Sequence, residues 1–190
     1  MKITKAEYLT SITSIKNMID SGVEFAFVGR RNVGKNSFIN SLISKKLART
    51  SSTPGRTRMI NYFLINDSFR FVDLPGYGYH SAGKKNEKMW ATLIEDYLNN
   101  SKTLRRVFLL VDIRHKPSLL DKQMLAYLTY SAKPFTIVAT KADKVAKSKI
   151  NNYLKIIAQE FLITPSSIIP YSTELGMGKD MILDIIEKSM

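Results

Sequence analysis

The chain has 190 residues, of which 44% are hydrophobic and none is cysteine, so it can bury a sizeable core but forms neither disulfides nor thiolate metal sites. It carries 29 Lys and Arg against 16 Asp and Glu, and the resulting net charge of +13 is typical of proteins that bind a polyanion. No apolar run approaches the roughly 20 residues of a membrane span, and the N-terminus lacks an apolar signal core, so we expect a cytoplasmic protein without a membrane partner.

Predicted helices and strands alternate along the chain. Residues 4–20 are predicted to form an amphipathic helix, since Tyr8, Ile12 and Ile15 recur at helical spacing, and residues 1–22 then form an N-terminal helical extension. Further helices are predicted over 38–43, 89–98, 120–128, 150–161 and 181–186. Strands are predicted at 23–29, 61–66, 69–74, 106–112, 134–140 and 168–171. Polar segments at 44–59 and 73–88 are predicted to be loops.

This alternation predicts an α/β fold with three layers, in which helices cover both faces of a mostly parallel central sheet. The strands at 61–66 and 69–74 are separated by Asn66-Asp67-Ser68 alone, which indicates an antiparallel hairpin strand at the edge of the sheet. No internal repeat or linker divides the sequence. We therefore expect residues 1–190 to form a single domain.

The stretch GRRNVGKNS nearly fits the phosphate-loop pattern G-x-x-x-x-G-K-[ST], with asparagine in the last position. A predicted strand precedes it and a predicted helix follows, which directs backbone N–H groups and a helix N-terminus toward a phosphate. The lysine would then reach the β- and γ-phosphates of a nucleotide. The alternative is a glycine turn without a ligand. The predicted nucleotide contacts in this loop are Gly29, Arg30, Arg31, Asn32, Val33, Gly34, Lys35, Asn36 and Ser37.

Two further motifs end predicted strands. In DLPG, Asp73 can hold magnesium through a water molecule, and the Gly76 N–H can sense a γ-phosphate; the alternative is an ordinary strand-ending turn. In TKAD, which begins at Thr140, Asp143 can accept hydrogen bonds from N1–H and the 2-amino group of guanine, whereas adenine would leave it unpaired. The stem of Lys141 can lie across the base, although a surface salt bridge is the alternative. Because α/β sheets bind ligands at the carboxyl ends of their strands, the three motifs together predict a phosphate-loop GTPase fold.

The combined motifs resemble the EngB (YihA-type) family of ribosome-assembly GTPases over almost the whole chain. The resemblance implies a domain that binds GTP and GDP with magnesium and assists assembly of the large ribosomal subunit. It implies that Thr57 is the switch threonine, and that the Ser172 and Thr173 backbone contacts guanine. The similar stretches are GRRNVGKNSFIN, TPGRT, DLPGYGY, VDIRHKP, TKAD and YSTELGMGK. The implied catalytic residues are Asn32, Lys35, Thr57 and Gly76, and the implied metal ligands are Asn36, Thr57 and Asp73.

Two positions depart from the pattern of related GTPases. Asn36 replaces the family's magnesium-binding serine, and Ser37 cannot take over because one helical residue rotates the side chain by about 100°. The amide oxygen reaches further than a hydroxyl, so we expect a bias toward GDP or weak nucleotide binding. Tyr77 stands where Ras-like proteins have a water-orienting glutamine, so slow hydrolysis is expected. By resemblance Asn32 holds a potassium ion, or else it only stabilises the loop.

Clusters of Lys and Arg flank the predicted nucleotide site, and they match the RNA partner that the resemblance implies. We expect a monomer that binds the large ribosomal subunit and its RNA, with no DNA partner. Two alternatives to a slow GTPase switch are a GDP-biased or non-hydrolysing assembly factor and a nucleotide-independent RNA-binding protein. A third reading of the charge is a lysine-rich, solvated surface. The clusters are Lys45-Lys46-Arg49, Arg56-Arg58, Lys84-Lys85-Lys88, Arg105-Arg106 and residues 141–149.

Overall fold

The computed structural model describes residues 1–48, 59–78 and 84–190, and for residues 84–91 it describes the helix but not the side chains. Seven strands and five α-helices lie in these ranges. The strands are β1 (Ala6–Ile12), β2 (Glu24–Gly29), β3 (Ile60–Ile65), β4 (Phe69–Asp73), β5 (Leu104–Asp112), β6 (Phe135–Thr140) and β7 (Ile168–Pro170). The helices are α1 (Lys35–Ile43), α2 (Lys84–Asn100), α3 (Leu119–Tyr130), α4 (Ile150–Phe161) and α5 (Lys179–Lys188).

All seven strands belong to one sheet with the order β1-β3-β4-β2-β5-β6-β7. The pairs β2–β4, β2–β5, β5–β6 and β6–β7 are parallel, whereas β3 runs antiparallel to both β4 and β1. The predicted α/β fold, with a mostly parallel sheet and an antiparallel hairpin strand, is therefore confirmed. The hairpin strand β3 is not the outermost strand, however, because β1 pairs on its outer side.

Helices cover both faces of the sheet and create two hydrophobic clusters. Successive strand residues point to opposite faces, so Phe25 and Phe27 of β2 face α1 and α5, while Ala26 and Val28 face α2, α3 and α4. The ring of Phe27 stacks on Phe108 of β5 with centroids 5.3 Å apart. This packing fixes the positions of the central strands, whose carboxyl ends carry the predicted motifs.

The predicted N-terminal helix is wrong, because the segment forms the edge strand β1 and a short 3-10 turn at Ile15–Asn17. The pairing of β1 with β3 shifts between Tyr8 and Thr10, so one extra residue bulges out of the ladder. A bulge moves the following side chains to the other face of a sheet. Ala6 consequently packs on the α1–α5 side and Ile12 on the opposite side, and the alternation typical of a strand is lost.

Several sequence predictions lie outside the described residues. Most of the predicted loop at 44–59 does so, together with the whole TPGRT motif and Thr57, and so do residues 79–83 of the second predicted loop. Residues 84–88 of that loop form the beginning of α2 instead. The basic clusters are described only in part: the side chains of Lys84, Lys85 and Lys88 are not. Among the residues that are described, no helix is long and apolar enough to cross a membrane.

A buried charge cluster joins β2, β4 and α2 at the amino ends of the central strands. Glu24 is fully buried, and one of its carboxylate oxygens accepts a hydrogen bond from Arg70 Nε at 3.1 Å. The other oxygen accepts hydrogen bonds from the Tyr97 hydroxyl at 2.8 Å and the Ser101 hydroxyl at 3.3 Å. The cluster pairs the buried carboxylate with a cation and satisfies both oxygens, as burial of a charge requires.

The substitution Glu24→Ala should lower the free energy of unfolding by roughly 3–5 kcal/mol, because it leaves the Arg70 guanidinium buried without a counterion. Urea unfolding followed by circular dichroism measures this loss. Glu7→Ala is the control, since it removes a carboxylate from an exposed pair with Lys5 at 3.4 Å and should cost less than about 1 kcal/mol. Equal losses in the two variants would contradict the role given to Glu24.

Candidate nucleotide-binding site

The phosphate loop connects the end of β2 to the beginning of α1. Gly29 ends the strand where a Cβ atom would lie 2.8 Å from the Leu110 carbonyl oxygen, so a larger residue does not fit. Gly34 precedes the helix with a φ of 96°, a left-handed conformation that favours glycine. Val33 N–H donates to the Arg30 carbonyl across the loop at 3.2 Å. The strand, turn and helix predicted around GRRNVGKNS are thus present.

Lys35 and Asp73 meet at the carboxyl end of the sheet. The Lys35 ammonium forms an ion pair with one Asp73 carboxylate oxygen, and Asn61 Nδ2 donates to the other at 3.1 Å. Both charged side chains are buried. Their proximity follows from the topology, since Lys35 comes after β2 and Asp73 ends β4, and these strands are parallel neighbours. The structure therefore brings the predicted phosphate-binding lysine beside the predicted metal-site carboxylate.

The residues after Asp73 are attached to the phosphate loop. Arg31 N–H donates to the Tyr77 carbonyl at 2.9 Å, and Tyr77 N–H donates to the Gly29 carbonyl at 3.4 Å. Gly76 lies against Arg31, whose Cγ would be 3.2 Å from a Cβ atom at position 76. Gly76 thus reaches the part of the phosphate loop where a γ-phosphate sensor is expected.

The Tyr77 side chain points into the protein, and its hydroxyl donates to Asp121 Oδ1 at 2.7 Å. Burial raises the pKa of this hydroxyl well above its ordinary value, and the neighbouring Asp121 carboxylate raises it further. Asp121 also caps α3, because its other oxygen accepts hydrogen bonds from the backbone N–H and the hydroxyl of Ser118. Tyr77 is therefore anchored to α3 and does not reach into the nucleotide site.

The TKAD motif is joined to the phosphate loop by two side-chain hydrogen bonds. The Thr140 hydroxyl donates to the Val33 carbonyl at 2.6 Å, and the Lys141 ammonium donates to the Asn32 carbonyl at 2.6 Å. Lys141 adopts a φ of 61°, which turns the chain at the end of β6. These bonds place the predicted base-binding segment directly beside the predicted phosphate-binding segment.

Asp143 is oriented by residues from two segments. The Ser172 hydroxyl donates to its Oδ1 at 2.8 Å, and the Lys144 ammonium lies 2.9 Å from its Oδ2. Burial raises the pKa of Asp143, but the hydrogen bonds from Lys144 and Ser172 outweigh this and leave the pKa below its ordinary value. Thr173 follows Ser172 and is exposed. The Asp143 carboxylate is thus ionised at neutral pH and lies where the TKAD motif contacts the YSTELGMGK stretch.

Asp112 is a further site residue, one that the motif predictions did not single out. It ends β5 and lies 3.0 Å from the Lys141 ammonium, while Arg114 donates to both of its oxygens at 2.9 and 2.8 Å. Burial raises the pKa of Asp112, but the hydrogen bonds from Arg114 and Lys141 lower it well below its ordinary value. Its position at a carboxyl strand end and its place in the VDIRHKP stretch were the available indications in the sequence.

The donor atoms near the phosphate loop partly suit a magnesium ion. Asp73 offers a carboxylate and Asn36, in the first turn of α1, offers an amide oxygen, and Mg²⁺ prefers oxygen ligands. Thr57 lies outside the described residues. Within the described residues, no group of three or more His, Cys, Asp or Glu side chains could hold a metal by itself. Asp73 and Asn36 alone supply fewer oxygens than octahedral magnesium takes, so its other ligands would come from nucleotide phosphates, water or residues outside the described ranges.

Comparison with known proteins agrees with this geometry. The family model described as "50S ribosome-binding GTPase" matches residues 24–141. A probable GTP-binding protein EngB of Pelotomaculum thermopropionicum is 43% identical over 189 residues, covering 98% of this chain and 96% of its own. A solved structure of a probable GTP-binding protein EngB has a TM-score of 0.73 at 23% identity, covering 88% of this chain and 98% of its own. Era in complex with a GTP analogue, magnesium and a segment of 16S ribosomal RNA has a TM-score of 0.67 at 21% identity, covering 90% and 57%.

The fold and the arrangement of the three motifs define a phosphate-loop GTPase domain. Within that class, the similarity to a probable GTP-binding protein EngB along nearly the full length of the chain identifies the family. The chain belongs to the EngB family of GTP-binding proteins. The resemblance inferred from the motifs is thereby confirmed.

Proposed function

We propose that this protein is a guanine-nucleotide switch that acts on the large ribosomal subunit and its RNA and hydrolyses GTP slowly. The observation that carries the proposal is the ionised Asp143 carboxylate, held by Ser172 in a segment that Thr140 and Lys141 join to the phosphate loop. A carboxylate in that place can accept both donors on the guanine edge while the loop binds the phosphates of the same nucleotide.

The proposed nucleotide roles are those that the motifs imply, and one of the residues involved, Thr57, lies outside the described residues. Lys35 would bind the β- and γ-phosphates, the loop N–H groups would surround them, and Asp73 with Asn36 and Thr57 would hold magnesium. When bound, magnesium would offset the negative charge of the nucleotide phosphates. The Gly76 N–H would sense the γ-phosphate, and the Ser172 and Thr173 backbone would contact the base. Asn32 would hold potassium.

Slow turnover is supported by Tyr77. Its hydroxyl is buried on Asp121, so the residue after DLPG presents no polar group to an attacking water molecule. A second candidate, a GDP-biased or non-hydrolysing assembly factor, is supported by Asn36 at the magnesium position. Both candidates share the base and phosphate contacts and differ in their response to magnesium.

The ribosomal partner is supported by three observations. The matching family model is named for 50S ribosome binding, Era with a related fold was solved with ribosomal RNA, and this chain carries a net charge of +13. Exposed lysines follow the base-binding motif at positions 144, 147 and 149. We place the protein in the cytoplasm as a monomer, with RNA rather than DNA or a membrane as its partner.

Purified protein should bind a fluorescent GDP that excess GTP displaces and excess ATP does not. It should also co-sediment with large ribosomal subunits, and this association should weaken steeply between about 50 and 200 mM salt because cations are released from the RNA. Equal displacement by ATP and GTP would reject the guanine assignment. Association that is unaffected by guanine nucleotides, together with no fluorescent GDP binding, would identify a nucleotide-independent RNA-binding protein instead.

A further inference from the structure

We infer that a basic cavity beside the phosphate loop is a docking site for one phosphate group of an RNA strand; this inference rests on the proposed RNA partner. The cavity has a volume of about 160 Å³ and lies between residues 30–33 of the phosphate loop and residues 111–117, the segment that ends β5 and leads to α3. Lys35, Asn36, Ser37 and Asp73 do not line it. The cavity therefore borders the predicted nucleotide contacts at residues 30–33 and Lys141, but its lining does not include Lys35 or Asp73, which are expected to hold the β- and γ-phosphates and magnesium.

The lining of the cavity is strongly cationic. Its walls include five Arg and Lys side chains and His115, against the two carboxylates of Asp112 and Asp121. Both carboxylates already have protein partners: Asp112 pairs with Arg114 and Lys141, and Asp121 accepts from the Tyr77 hydroxyl. The positive charge of the lining therefore exceeds the negative charge, and an anion is the ligand that would balance it.

Asp112 fixes one wall of the cavity in advance. Two of the five N–H donors of the Arg114 guanidinium bind the Asp112 carboxylate, which holds the planar group in place and leaves the other donors for a ligand. Arg30 and Arg31 also line the cavity and are half-buried, and Lys116 is an exposed lining residue. A guanidinium group held in the manner of Arg114 suits the oxygens of a phosphate.

The size of the cavity indicates one anionic group rather than a whole nucleotide. Pockets for small molecules commonly measure about 300–1,000 Å³, which is larger than the volume of this cavity. A single phosphodiester group that belongs to a longer polymer fits the smaller space, because the rest of the strand remains outside. The exposed lysines at 144, 147 and 149 follow Lys141 from the cavity wall and offer further phosphate contacts along such a strand.

The test compares two double variants that each remove two positive charges. Arg114→Ala with Lys116→Ala removes two cations from the cavity lining. The carboxylates that pair with them are not left without a partner, because Asp112 still pairs with Lys141 and Glu160 still pairs with Lys122 at 2.6 Å. Lys102→Ala with Arg105→Ala is the matched control. Both residues are exposed, and the Arg105-Arg106 cluster, predicted to flank the nucleotide site, lies at the amino end of β5, whereas the cavity lies at its carboxyl end. The probe is a fluorescein-labelled single-stranded oligouridylate, and its anisotropy is measured against GDP-loaded protein at several salt concentrations.

The cavity variant should bind the oligouridylate at least about tenfold more weakly than the unmodified protein, with a salt dependence of log K that is shallower by about 1. Its GDP affinity should stay within about twofold, and the control should lose much less RNA affinity. Equal losses in both double variants, or no loss in the cavity variant, would overturn the site while leaving the RNA partner intact.

Absence of RNA binding by the unmodified protein at low salt would instead overturn the RNA partner itself, and the cavity inference with it. If the unmodified protein does not bind RNA, a labelled oligoglutamate is the second probe. Binding of the oligoglutamate to the unmodified protein but not to the cavity variant would assign the cavity to an acidic protein segment. That result would also overturn the RNA assignment.

Discussion

Replacing Asp143 with asparagine should change the preferred base from guanine to xanthine. The ionised Asp143 carboxylate accepts hydrogen bonds, and both guanine N1–H and the guanine 2-amino group donate them. An asparagine amide would place its NH₂ group against the guanine 2-amino group, so that two donors face each other. Xanthine carries a carbonyl oxygen in place of the 2-amino group, and this oxygen can accept a hydrogen bond from the asparagine NH₂. Because sites built for hydrogen bonding reject a mismatched partner strongly, GDP affinity should fall at least about a hundredfold.

Competition between fluorescent GDP and unlabelled GDP, XDP and ADP measures the change in base preference. Asp184→Asn is the control, since this exposed carboxylate pairs with Lys188 on α5 and should not affect nucleotide binding. The fold should be preserved in the Asp143 variant, because the Lys144 partner it loses is exposed and such pairs contribute little to stability. Unchanged discrimination between GDP and ADP would show that Asp143 does not contact the base.

Replacing Asn36 with serine should increase magnesium-dependent GTP affinity by about 10–100-fold, the range seen when the coordination of a metal is disturbed or repaired. The short serine hydroxyl at the start of α1 would supply an oxygen that the longer asparagine amide supplies poorly, and octahedral magnesium tolerates poor geometry badly. GDP affinity should change less, because magnesium bridges the β- and γ-oxygens of GTP. Turnover should rise from a very low value, and more in potassium than in sodium when Asn32 holds the ion.

Titrations of GTP and GDP with and without magnesium, on both proteins, measure this effect. Ser37→Ala is the control for the metal effect, since it keeps the backbone N–H that would contact a phosphate and removes only a side chain that is exposed and points about 100° away from position 36 around the helix. Should the unmodified protein already bind GTP and GDP equally and with full magnesium dependence, Asn36 would be a competent ligand through its amide oxygen. The metal-site interpretation would then be wrong, and the assignment to the EngB family would be unaffected.

The phosphate loop and the other two motifs could be predicted because their conformation is local. Gly29 and Gly34 are required by a close carbonyl and a left-handed φ within one short turn, and the strand before them is continuously apolar. The edge strand β1 could not be predicted, because the bulge between Tyr8 and Thr10 removes its alternation. The apolar residues that remain happen to recur at helical spacing, and pairing with β3 overrides that pattern.

The carboxylates that complete the site depend on contacts between distant parts of the chain. Asp112 meets Lys141 because β5 and β6 are parallel neighbours. Asp121, in the first turn of α3, meets Tyr77 because the chain after β4 is hydrogen-bonded to the phosphate loop and directs the Tyr77 side chain toward α3. A single sequence contains no spacing rule for such pairs. Strand order and helix packing create them, so they become visible only in the folded chain.

The buried Tyr77–Asp121 pair restricts the evolutionary routes by which residue 77 could change. A single change of Tyr77 to glutamine, the water-orienting residue of Ras-like proteins, would remove the donor to Asp121 and leave a buried carboxylate oxygen unpaired, at a cost of about 1–3 kcal/mol. Asp121 cannot be replaced first without penalty either, since it also caps α3. A glutamine at position 77 is thus separated from the present sequence by destabilised intermediates.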